Sequence, residues 1–165
     1  MQHIQFEHID KATQWIDHVT DEQFEEAITQ LSEKQPILLD YVLAAPAEYE
    51  NEALEGYLLY YYWVIHESFV QAGIPVTMVT EAMIEGFEQP FEDMLEDYFG
   101  TENDEEANER IEEFCDQPEL LKFMAIEVST DDEDGSSMDD ETATQLYVTC
   151  AAMIALLNES AKVTA

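Results

Sequence analysis

The sequence predicts an all-α protein, a single-domain helical bundle of six to eight helices. Three observations lead there. Apolar residues recur at helical spacing along most of the chain. No run alternates Val, Ile and Thr as a half-buried strand would, and no Asn-Gly pair marks a hairpin. The five glycines and five prolines mostly stand where a helix would begin or end.

The elements follow in order. Residues 1–18 are weakly patterned and predict one short helix around Ala12 to Val19. Thr20 opens a capping box with Gln23 three residues on, and Phe24, Ala27, Ile28 and Leu31 continue it at helical spacing. Gln35–Pro36 starts a new helix, because proline suits a first turn, and this helix runs through "ILLDYVLAA" to Pro46. A long helix is expected from about Ala47 to Ala72, with Gly73 as its cap and Pro75 as its stop. It is apolar on every face from Tyr57 to Ile65, which marks it as the buried centre of the domain. Thr77 or Thr80 begins a helix reaching Phe99, with Pro90 kinking or splitting it. A helix follows in "EEANERIEEFCD", then a second Gln-Pro at Gln117–Pro118, then "ELLKFMAIEV". An acidic loop leads to a last helix from about Asp139 to Ser160.

The two Gln-Pro units suggest an internal repeat, 20–73 and 102–161, linked by 74–101. "PILLDYVLA" parallels "PELLKFMAI", and each unit closes with an apolar-rich helix. The competing reading is that amphipathic helices resemble one another by pattern alone.

Composition limits function. The 165 residues fit one domain, and 46% apolar with 11% aromatic residues supply a core. The formal charge is −34, from 39 acids against Lys11, Lys34, Arg110, Lys122 and Lys162. Such a surface repels phosphates and anionic lipid heads, so no direct nucleic-acid or membrane binding is expected and a basic protein or other cationic partner is favoured. Solubility or adaptation to high salt would produce the same charge. "YLLYYYWVI" is too short to cross a bilayer. The N-terminus shows no signal peptide, and Cys115 and Cys150 are isolated, so a cytoplasmic protein with reduced thiols is expected.

Motifs for catalysis are missing. None of the four histidines has a glutamate three residues before it, so the Glu-x-x-His pairs of carboxylate-bridged iron do not occur; HExxH is also absent. There is no GxSxG and no glycine-rich phosphate loop. The chain is therefore expected not to be an enzyme, with no cofactor. A third class of function stays open: a small-molecule or catalytic pocket near Tyr60 and His66, lined by the aromatics of 57–63. Set against this are a packed core and a hydrogen-bonded boundary histidine.

"TDDEDGSSMDDE", residues 130–141, partly matches the calcium-loop pattern D-x-[DN]-x-[DN]-G-x5-E. Asp132, Asp134, Ser136 and Glu141 would be ligands of a weak cation site. Thr130 stands where the first aspartate belongs, and Ser137 where an apolar residue is usual. The simpler reading is a solvated connector whose Asp139 or Asp140 caps the last helix.

Residues 81–141 hold 24 of the 39 acids. Within them Glu81, Glu85, Glu88, Glu92 and Glu96 share one helix face, about 5–6 Å apart at Cβ. That is close to phosphate spacing along a strand. A non-enzymatic acidic interaction protein is the leading expectation, one whose stripe meets a basic surface or mimics a nucleic acid.

Overall fold

The computed structural model describes residues 2–129 and 138–164. Helices α1 (Phe6–Asp17), α2 (Asp21–Lys34) and α3 (Pro36–Leu43) lead through the single turn α4 (Ala45–Glu48) to α5 (Leu54–Gln71). Then come α6 (Glu81–Gly100), α7 (Asp104–Cys115), α8 (Pro118–Ser129) and α9 (Asp140–Thr164). The described residues contain no strand, so the all-α expectation holds: eight helices of two turns or more pack together.

Local chemistry explains most boundaries. Thr20 Oγ1 accepts from the Gln23 N–H at 3.2 Å while Gln23 Oε1 accepts from the Thr20 N–H at 2.9 Å, a complete capping box. Thr80 caps α6 through the Met83 N–H, and Asn103 caps α7 through the N–H groups of Glu105 and Glu106. Pro36 and Pro118 open α3 and α8. Gly73, at φ +71°, closes α5: its N–H reaches the Val70 carbonyl and that of Ile74 reaches Phe69. This is a Schellman stop, with buried Ile74 and Phe69 as its apolar pair.

Two boundaries differ from expectation, and at Pro90 one of the two expected outcomes falls away. α1 begins at Phe6 rather than near Ala12, because an unusual cap starts it: the Gln5 N–H donates to His8 Nδ1 at 2.9 Å. The predicted helix 47–72 is instead α5 alone, preceded by a break. Glu50 lies in the left-handed region at φ 53°, and the Asn51 N–H closes the turn on the Pro46 carbonyl. Asn51 is held there by Thr142 Oγ1 and Gln145 Oε1 of α9, each 2.9 Å away. Pro90 does not split α6, which runs unbroken past it.

The centre of the bundle is a pair, α5 against α9. α5 is buried from Tyr61 to His66, and α9 from Cys150 to Asn158. Both therefore lack a solvent face over these stretches. α1 and α2 cover α5; α7 and α8 cover α9; α6 packs beside α7 and also reaches α9.

Two buried glutamines tie the chain together. Gln35 Nε2 donates to the Thr77 carbonyl at 2.7 Å and its Oε1 accepts from the Val79 N–H at 2.8 Å. Gln117 Nε2 donates to the Gln2 carbonyl at 3.1 Å and its Oε1 accepts from the Ile4 N–H at 2.9 Å. Each glutamine precedes a helix-opening proline. Each clamps an extended segment through residues two apart, and each segment then enters a helix, α6 or α1. The clamps run crosswise: the glutamine before α3 holds the segment leading into α6, and the glutamine before α8 holds the N-terminal segment. Each segment also docks on a central helix end, Gln2 on the Ala72 carbonyl and Thr77 on the Ser160 carbonyl.

Candidate functional site

The acidic stripe lies as the helical wheel predicts. Ile84, Phe91 and Met94 face inward, while Glu81, Glu85, Glu88, Glu92 and Glu96 are all exposed. Packing of α6 beside α7 adds what the wheel could not show. α7 meets α6 on the flank of Phe87, Phe91 and Asp97, where Phe114 and Arg110 contact it, and residues 81–113 hold fourteen acids against Arg110. Arg110 is already engaged, its guanidinium 3.1 Å from Asp97 Oδ2. The field is felt on α3: the Tyr41 hydroxyl is pushed up to about 12, first by burial and then by Glu88, Glu48, Tyr49 and Glu92.

The cation-loop residues Asp132, Asp134 and Ser136 lie outside the described residues. Glu141 is exposed in the first turn of α9 and accepts a long bond from Gln145 Nε2, 3.4 Å. Asp139 takes the capping role: its Oδ1 accepts from the Thr142 N–H at 2.7 Å, which holds its carboxyl below the usual range. Among the described residues no three His, Cys, Asp or Glu side chains gather as metal ligands would.

The aromatic run of α5 divides by helix face. Tyr62 and Trp63 are core, and Trp63 meets Trp15 edge-on and Phe24 at a tilt, with centroids 5.4 Å apart in each pair. Tyr60 and Tyr61 send their hydroxyls outward to Asp17 and Glu127, at 2.8 and 3.2 Å. Tyr60 and His66 do not share a pocket, because Tyr60 turns toward α1. His66 alone of the two lines a cleft, about 530 Å³, between the ends of α2 and α5 and the segment 73–78. His66 is 6% exposed, and among the described residues neither ring nitrogen has a hydrogen-bond partner. Burial, then the Lys34 ammonium, lowers its pKa to about 4. The hydrogen-bonded histidine expected from the sequence is thus replaced by a buried, neutral, unpartnered one. Sequence signals for this cleft are slight, since its members come from three separate segments.

Both cysteines are buried. The Cys115 thiol donates to the Ala151 carbonyl at 3.4 Å and is pushed up to about 12 by burial, not by the neighbouring acids. Neither is placed for nucleophilic work. No helix among the described residues is long and apolar enough to cross a membrane. No family model, no curated protein and no solved structure matches the chain.

Proposed function

We propose that the protein is a non-enzymatic interaction protein whose acidic α6–α7 face engages a basic surface of a partner, in the manner of a nucleic-acid mimic. The observation that carries the reading is the exposed stripe of five glutamates on α6, within a segment, 81–113, that holds fourteen acids and one arginine already paired. A single charged helix face is commonplace. Fourteen acids on two packed helices and the turn between them, with little internal compensation, create a field that steers a cationic partner.

Affinity capture at low salt tests this. The expected result is a basic protein that elutes as salt rises and is displaced by duplex DNA. A variant carrying Glu81→Gln, Glu85→Gln, Glu88→Gln, Glu92→Gln and Glu96→Gln should bind it about tenfold more weakly, as five exposed pairs at ~0.3 kcal/mol each would imply. Equal capture by the variant, or no salt-eluted basic protein at all, overturns the proposal.

A further inference from the structure

The His66 cleft stands apart from the acidic face. In a chain where 39 of 165 residues are acids, none of the cleft's lining residues is Asp or Glu, and its one charge is Lys34. Among the described residues Lys34 forms no ion pair, although carboxylates abound. The walls are apolar: Val70, Ile74, Val76 and Met78. Val70 and Met78 are about half exposed at 53% and 49%, so an apolar rim opens to solvent. One wall is held in place before any ligand arrives. Gln35 fixes the segment at Thr77 and Val79, and Ser160 bonds both the N–H and the hydroxyl of Thr77. The corresponding amide at the other clamp is used differently. There Gln117 Nε2 also donates to the buried Asn158 at 2.9 Å.

We infer that this cleft binds a small carboxylic acid with an apolar body, its head between Lys34 and His66 and its tail along Val70, Val76 and Met78. The reasoning is one of complementarity. A neutral imidazole offers a donor and an acceptor that the protein itself does not satisfy, and its ring lines the open cleft where a ligand could meet them. The ammonium supplies the counter-charge for an anionic head, and the cleared surroundings spare that head the repulsion it would meet elsewhere on the surface. The lining is mostly apolar with a few convergent polar groups, as in small-ligand sites. This site is independent of the acidic face, so each can fail without the other.

Sodium octanoate is a suitable probe, with octan-1-ol as its uncharged counterpart, followed by NMR of the His66 imidazole and the Lys34 ε-methylene. Octanoate should shift both signals saturably, with a dissociation constant of about 1 mM for so small a ligand. It should also raise the imidazole pKa, because a bound anion favours the protonated ring. Octan-1-ol should bind at least about fivefold more weakly. Lys34→Met and Val70→Glu alter exposed positions and should leave the fold intact while weakening octanoate by a similar factor or more. Signals that do not saturate, octan-1-ol binding as tightly as octanoate, or full affinity in both variants would each overturn the inference.

Discussion

Tyr62 shows how little separates a packing residue from a polar liability. Its ring fills the core completely, yet its hydroxyl finds no hydrogen-bond partner among the described residues. Burial accordingly drives its pKa upward. Its neighbours Tyr60 and Tyr61 differ by one or two positions on the same helix and reach carboxylates instead. An unmade buried hydrogen bond costs about 1–3 kcal/mol. Tyr62→Phe keeps the ring and removes the stranded group, so urea unfolding should show it neutral to stabilising by about 1 kcal/mol. A loss of more than that would mean the hydroxyl has a partner in solution.

At the scale of elements, the boundaries that could be read in advance are those set by local bonds. Thr20 with Gln23, Thr80, Pro36, Pro118 and Gly73 each act within a few residues, and each stands where sequence places it. The start of α1 was illegible because Gln5 and His8 form a cap from residue types that seldom signal one. The break before α5 was illegible for a different reason: Asn51 is held by Thr142 and Gln145, more than 90 positions away. The two Gln-Pro units are visible in the sequence as a pattern, but the role of their glutamines is purely tertiary. Removing either clamp strands a buried backbone N–H, at Val79 or at Ile4. Gln35→Ala and Gln117→Ala should each cost about 2–4 kcal/mol. Amide hydrogen exchange should accelerate locally, at Val79 in the first variant and at Ile4 in the second. Swapped or uniform acceleration would show that the clamps do not hold the segments to which they are bonded.

For the whole molecule, the net charge of −34 opposes the compact state. The internal compensation is thin: exposed or half-exposed pairs such as Arg110–Asp97 and Lys122–Glu119, each of small value. The α5–α9 core must carry the fold against that repulsion. Monovalent salt shortens the range of the repulsion, from roughly 30 Å at 0.01 M to 10 Å at 0.1 M. The melting temperature should therefore rise steadily with sodium chloride, by ~2–4 °C for each kcal/mol of repulsion screened. A melting temperature that is flat or falls over this range would show that the charge is not a net burden.

What the sequence determined by itself is the helical class, most helix ends, the outward face of α6 and the excess of negative charge. These depend on periodicity, caps and composition, which act over one or two turns or over no distance at all. The tertiary structure alone decided three further matters. It set α7 beside α6, with Phe114 against Phe87 and Phe91 and Arg110 against Asp97. It separated Tyr60 from His66 and left His66 unpartnered in a cleft lined by no Asp or Glu. It also crossed the two glutamine clamps between the halves of the chain. The reason is common to all three: each depends on groups brought together from distant positions, and no local spacing encodes which helix becomes the neighbour of which.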